Sequence, residues 1–268
     1  STRRFDYNSA GYQELCTYKR QDYYKKDKRD LPWRKTHDPY KILVSELMLQ
    51  QTQSTRVVEK YKYFIKIFPT VSHLARASTK EVLLLWQGLG YNRRALYLQR
   101  AAQVVVYEYR GIFPTTERDL QKLPGVGPYT ATAIIAFAYN KPAVVIETNI
   151  RAVFIHFFFP NSKKVSDTTL IPFIEKYMDK KNPREWYNAL MDYGAMLKRT
   201  TVNPSRNSKH HVAQSTFKGS IRQIRGAIIK AYTENSHIKK TKLTSLLPYK
   251  KEDILKQYEA LKKEGFFS

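Results

Sequence analysis

The segment Leu123-Pro124-Gly125-Val126-Gly127-Pro128-Tyr129-Thr130 runs into the apolar stretch Ala131-Thr132-Ala133-Ile134-Ile135. Its two glycines permit a tight turn with close backbone approach, and the helix that follows opens with its first amides unpaired. Such an end offers N–H donors and the positive pole of a helix to a phosphate; an ordinary Pro-Gly connection between helices is written in the same letters. On either reading a turn lies between two helices. Working outward, Ile42, Leu43, Leu47, Met48 and Leu49 recur at helical spacing, as do Val82, Leu83, Leu85 and Trp86. Further apolar stripes run through Leu96–Val106, Thr130–Ala138, Leu170–Met178 and Trp186–Leu197, with Gly88-Leu89-Gly90 and Phe113-Pro114-Thr115 as punctuation. Val144-Val145-Ile146 and Phe157-Phe158-Phe159 have strand character but are too short to build a sheet. The expected fold class is all-α, about ten helices joined by short loops.

After Leu197 the apolar rhythm lapses into a polar loop, Lys198-Arg199-Thr200-Thr201-Val202-Asn203-Pro204-Ser205-Arg206, continuing to Thr216. Amphipathic helices are expected at Ile221–Tyr232, Lys242–Leu246 and Glu252–Lys263. This places a large domain over 1–216 and a small basic helical unit over 217–268. With Gly265-Phe266-Phe267 at its end, that unit has the outline of a minimal winged helix. Residues 198–268 hold sixteen Lys and Arg against five Asp and Glu, so +11 of the formal +24 sits in the last quarter. An excess of that size is offset best by a polyanion, DNA or RNA ahead of an anionic membrane surface. Twenty Tyr and 13 Phe add flat faces that can stack on bases. No apolar run of about eighteen residues exists to span a bilayer. The opening Ser1-Thr2-Arg3-Arg4-Phe5-Asp6 lacks a secretory pattern, and the single Cys16 cannot form an internal disulfide. A reducing, cytoplasmic setting is expected.

Two acids stand out. Glu46 interrupts the apolar helix Pro39-Tyr40-Lys41-Ile42-Leu43-Val44-Ser45-Glu46-Leu47-Met48. A carboxyl in apolar surroundings keeps its proton because desolvation disfavours the anion, and a protonated carboxyl at neutral pH is a general acid; a surface Glu on a polar helix face is the plainer alternative. Glu147 follows Val144-Val145-Ile146 at an element boundary. Glu caps helices poorly compared with Thr, so Thr148 is the expected cap and Glu147 is left for another role.

These segments, with Leu31-Pro32-Trp33-Arg34, Ser45-Glu46-Leu47-Met48-Leu49-Gln50-Gln51-Thr52-Gln53, Trp86-Gln87-Gly88-Leu89-Gly90-Tyr91 and Leu190-Met191-Asp192-Tyr193-Gly194-Ala195-Met196, resemble the helix-hairpin-helix DNA glycosylases, and among them the MutY adenine glycosylases. The resemblance runs over residues 14–198 in family order. It implies a two-lobed helical fold and a monofunctional glycosylase of base excision repair, acting as a monomer on double-stranded DNA with a mismatch or oxidised base. In that family the acid matching Glu46 protonates adenine at N7, the acid matching Glu147 stabilises the oxocarbenium-like sugar, and Asn149 matches an asparagine near the attacking water. Tyr129 stands where bifunctional relatives carry a catalytic lysine, so no Schiff base can form there. Gln51 and Tyr91 match residues that wedge into the duplex, flanked by Thr52, Leu89 and Gly90. Gly125, Val126, Gly127 and Thr130 match the phosphate-binding hairpin, where a monovalent cation is the one ion allowed for. Trp33, Arg34 and Asp192 match the lining of the base pocket.

The sequence departs from that family in three ways. Glu147 replaces the usual Asp, and a carboxylate displaced by about an ångström can cost roughly a hundredfold in rate. Lys198 stands where the first of four cluster cysteines falls, and no cysteine follows Cys16, so no iron–sulfur cluster is expected. The loop's Lys198, Arg199, Arg206 and Lys209, with His210 and His211, are left to grip phosphate, and no metal is expected there. The nudix-like module that reads 8-oxoguanine is not found, and the basic helices stand in its place. Thymine removal from T·G mismatches and non-catalytic DNA binding are the alternatives.

Overall fold

The computed structural model describes residues 28–212 and 216–267; Cys16 lies outside them. Regular structure among the described residues is helical, with one isolated bridge between Val165 and Ser208. The all-α expectation holds. Among the described residues there are thirteen α-helices, where about ten were expected for the chain. The surplus includes α3 (Val71–Arg76) and α6 (Glu117–Leu120), which are too short to display an apolar period. Phe157 and Phe158 complete a helix, and Val144–Ile146 is irregular. No described helix is long and apolar enough to cross a membrane.

The chain divides into two compact units. The second unit in space takes Lys35–Ala131 and Gln214–Ser268. It contains α1 (Pro39–Leu49), α2 (Ser54–Ile67), α3, α4 (Thr79–Trp86), α5 (Arg93–Tyr107) and α6, and the start of α7 (Pro128–Phe137). Asp38 caps α1 by accepting from the Tyr40 amide, and Pro39 opens it with the φ a first turn requires. From Tyr40 to Met48, Lys41 alone escapes full burial. Ser78 and Glu81 close a reciprocal capping box on α4. Phe64 of α2 meets Phe68 and Trp86 edge-on in the core.

The residues from 217 onward, read as a unit of their own, pack with this one. They form α11 (Ile221–Glu234), α12 (Lys240–Leu246) and α13 (Lys251–Glu264), with α11 against α4 and α13 against α11. Glu264 binds Arg93 of α5 at 2.8 Å and Arg225 at 2.6 Å, and Arg100 donates to its carbonyl. No wing follows. Gly265 takes the left-handed φ of +85° that ends α13, and Phe266 and Phe267 turn inward, the latter against Tyr232 and Tyr258.

The first unit takes Ser1–Arg34 and Thr132–Ala213. Its helices are the remainder of α7, then α8 (Thr148–Phe158), α9 (Asp167–Tyr177) and α10 (Pro183–Thr200). α8 lies against α10, and Trp186 and Tyr187 of α10 meet Phe154 and Phe137 edge-on.

Candidate active site

In the second unit, the turn at 123–128 bends as its glycines suggest. Gly125 has φ +77°, and a Cβ there would lie 2.5 Å from Cβ of Tyr97, so no other residue fits. Gly127 and Pro128 are exposed, and the Gly127 carbonyl accepts the first bond of α7, from the Ala131 amide. The opening of α7 is thus exposed at Gly127 and Pro128, while Val126 and Thr130 are buried. The Thr130 hydroxyl is 3.5 Å from Nε2 of Gln50. Glu46 lies four residues before Gln50, one turn back on the same face of α1. It is 7% exposed, in a stretch buried from Ile42 to Met48. Tyr129 is half-buried beside Thr130 in that first turn.

The two wedge candidates sit on strained turns. Gln51 is exposed with φ +53°, and Tyr91 is half-buried with φ +45° between glycines and a helix start. Left-handed backbone at a non-glycine residue persists where its surroundings over-determine it. Here the agent is Arg94. Its Nη1 donates to the carbonyls of Leu47 (2.7 Å), Met48 (3.0 Å) and Gln50. Its Nη2 reaches the carbonyls of Leu89 (3.2 Å) and Gly90 (2.9 Å) and the Thr52 hydroxyl (3.2 Å). The guanidinium carbon also lies 5.5 Å from the ring centres of Trp86 and Tyr91. Burial pulls this guanidinium down to about 10, with Tyr91 opposing. Thr52 and Leu89 are thus joined from inside, Leu89 with its side chain buried, while Gly90 and Gln51 remain exposed.

In the first unit, Glu147 proves to be the cap of α8, and Thr148 is not. One carboxylate oxygen accepts from the amides of Asn149 (2.7 Å) and Ile150 (2.9 Å), and the other from Nδ2 of Asn149 (3.1 Å). The preference for short caps concerns the reach of one oxygen to one amide. The longer Glu side chain curls back to hold two amides and still presents its second oxygen. Tyr187 fixes the approach to it, donating to the Ala143 carbonyl (2.7 Å) and accepting from the Val145 amide (3.0 Å). The Oδ1 of Asn149 is buried with no hydrogen-bond partner among the described residues. A buried acceptor left unsatisfied is costly, and a donor such as water suits it. Gly194 of α10 presses on this point: a Cβ there would lie 2.3 Å from the Asn149 carbonyl oxygen.

Arg34 and Asp192 come together in the same unit, and Trp33, beside Arg34 in the chain, is buried. Arg34 grips Asp192 with two bonds of 2.7 and 2.8 Å, and Arg29 adds a third guanidinium contact. Burial would raise the Asp192 carboxyl, but Arg34 and then Arg29 outweigh it and hold it below the usual carboxylate range. Both its oxygens are occupied within the protein.

The expected loop begins as helix: Lys198 and Arg199 lie in the last turn of α10, Arg199 exposed like Arg206 and Lys209 beyond it, whereas Lys198 is half-buried and feels the Glu147 carboxylate. Its burial lowers the ammonium below its ordinary value, against that attraction. Asn203 accepts from the amide and hydroxyl of Ser205, Pro204, Ser205 and Ser208 are buried, and His210 engages Asp167.

Residues 44–171 match the family model of the HhH-GPD superfamily base excision DNA repair protein. The chain belongs to the HhH-GPD superfamily. Over 187 residues it is 34% identical to the adenine DNA glycosylase of Buchnera aphidicola subsp. Baizongia pistaciae, taking in 69% of this chain and 52% of that protein. Against the adenine DNA glycosylase of Mycobacterium tuberculosis the identity is 44% over 132 residues, 49% of this chain and 43% of the other. The chain spans about half the length of these curated relatives. Among solved structures, a thermostable thymine-DNA glycosylase matches with a TM-score of 0.59 at 27% identity, over 69% of this chain and 84% of that one.

Arg94 and Arg29 are the site-shaping residues of this HhH-GPD chain that the sequence alone did not single out. Arg94 had a visible signal, since it shares the buried stripe of Leu98, Ala101, Ala102 and Val105 at helical spacing. A charge inside an apolar stripe marks an internal anchor. Arg29 has no comparable mark.

Proposed function

We propose that this chain is a monofunctional DNA glycosylase that hydrolyses the N-glycosidic bond of an adenine mispaired with 8-oxoguanine or guanine, after extruding it from the duplex. The observation that carries the reading is the burial of Glu46 in the apolar helix α1, one turn from the Gln50–Thr130 contact that ties α1 to the hairpin helix. The name shared by the relatives, adenine DNA glycosylase, supports the choice of base.

In this mechanism Glu46 delivers a proton to N7 of adenine, so the base departs neutral as the bond to C1′ breaks. To Glu147 this reading gives the stabilisation of the positive charge that develops on the sugar, an attraction strengthened when water is excluded. Asn149, with an unsatisfied Oδ1 beside Glu147, suits the water that adds to C1′. The water keeps one proton in the new C1′ hydroxyl and gives the other to solvent, balancing the one that Glu46 spent and leaving an abasic site and free adenine. Tyr129 supplies no amine, so the strand stays intact until alkali is added. An iron–sulfur cluster does not fit: the 198–212 loop offers amine, amide, hydroxyl and imidazole groups and no thiolate. No step uses one.

The test is single-turnover excision from duplexes carrying A or T opposite 8-oxoguanine, G and C, with and without Glu46→Gln. Adenine release from the 8-oxoguanine and G duplexes is expected, falling at least about a hundredfold in the variant while duplex binding persists. Release of thymine from T·G alone would favour the thymine reading that the 27% identical structure supports. A borohydride-trapped protein–DNA adduct would end the monofunctional assignment.

A further inference from the structure

Arg222, in the first turn of α11, donates to the Tyr91 hydroxyl at 2.8 Å. Its guanidinium carbon lies 5.3 Å from the centre of the Tyr91 ring and 6.0 Å from that of Phe217. One planar cation therefore joins the wedge tyrosine to an aromatic ring from the other end of the sequence, within the same unit. Phe217 is 57% exposed and Ile221 60% exposed, two large apolar side chains bracketing a turn that also carries Lys218. The nearby acid, Glu264, is already held by Arg93 and Arg225. Exposed flat apolar surface within a net positive field fits a partner that is polyanionic and carries flat apolar faces. Nucleobases of DNA have both properties, and guanidinium and aromatic planes are what unstacked bases lie on.

We propose that the first turn of α11 belongs to the duplex-opening surface: Arg222 is a positioning residue that clamps Tyr91, and Phe217 is a stacking face for the nucleobase left without its partner. This rests on the base-extruding reading above. Arg222 adds a second cation against the Tyr91 ring, beside that of Arg94, and a hold on its hydroxyl that Arg94 is not seen to give. The C-terminal helices then act in the opening step as well as in backbone attraction.

The experiment uses the full chain carrying Glu46→Gln, a duplex with adenine opposite a fluorescent guanine analogue, and the matching fully paired duplex. Phe217→Ser and Arg222→Ala are each expected to weaken mismatch affinity about tenfold while changing paired-duplex affinity less than about twofold. Each should also remove at least half of the analogue's fluorescence change, in line with the tenfold loss. Arg222→Lys, which keeps the charge and loses the plane, should leave paired-duplex affinity unaltered without restoring the fluorescence response. Phe217 is exposed and uncharged, so its variant reads stacking without disturbing the fold, which an unchanged melting temperature checks. If both variants match the parent in mismatch affinity and fluorescence, or weaken both duplexes equally, the proposal is wrong. Failure of the glycosylase reading is separate: the chain with Glu46 intact would then release no base from any duplex.

Discussion

The Asp192 carboxylate, matched by resemblance to a base pocket with Trp33 and Arg34, is held in space by Arg34 and Arg29. Its side chain is 6% exposed, so removing its charge leaves two guanidiniums short of a partner in a poorly solvated place. Breaking a buried pair from one side costs about 3–5 kcal/mol, and Asp192→Asn should lower the melting temperature at pH 7 by roughly 10 °C. The pH dependence has a definite sign. The folded-state carboxyl titrates below its ordinary value of 3.8, so its contribution is complete above 3.8 and disappears as pH falls through the depressed value. Thermal melts of both proteins from pH 7 downward should therefore converge in acid. A gap that stays constant with pH would mean that the ion pair is not what holds this cluster.

At the scale of helices, what could be read and what could not divides along a physical line. Periodicity and turn chemistry act within a few residues, so the hairpin at 123–128, helix α1 with Glu46 inside it and the C-terminal helices were all legible. Contacts between distant segments were not. Nothing local says that α11 packs on α4, or that Arg94 ties the Gln51 turn to the Tyr91 turn. Gly194 shows the consequence where two helices meet. Its lack of a side chain lets α10 approach the backbone of Asn149, the second residue of α8. In Gly194→Ala the new methyl would stand 2.3 Å from a carbonyl oxygen and 2.8 Å from Cβ of Asn149, neither the flexible end of a long side chain. The start of α8 must shift, taking the Glu147 carboxylate with it. Single-turnover excision should fall about a hundredfold, since about 1 Å of misplacement has that effect. Affinity for the duplex should hold, because the hairpin and wedge turns lie in the other unit. Unaltered excision in this variant would remove Glu147 from the chemistry.

Taken whole, the molecule carries a formal +24, and the question is which part of that charge meets phosphate. Deleting residues 217–268 would not answer it. Glu264 is bound by Arg93 and Arg225, Gln87 of the α4 cap reaches Thr233, and Phe266 is buried, so truncation would strip packing from the unit that holds Glu46 and the wedge turns. Charge must be removed while the packing is kept. Lys239, Lys242, Lys250 and Lys251 are exposed, and no ion pair is found for them among the described residues, unlike Lys240, which engages Glu259. Replacing these four with Gln should leave the melting temperature within about 2 °C, because exposed unpaired charges contribute little to stability. Each phosphate that the variant no longer neutralises should reduce the slope of log K against log salt by about one, since fewer counterions are released. If the C-terminal helices lie along the backbone, affinity for any duplex drops at low salt and the slope flattens, with mismatch preference preserved. A slope identical to that of the parent chain would take α12 and α13 out of the footprint and leave attraction to the hairpin and the 199–209 loop.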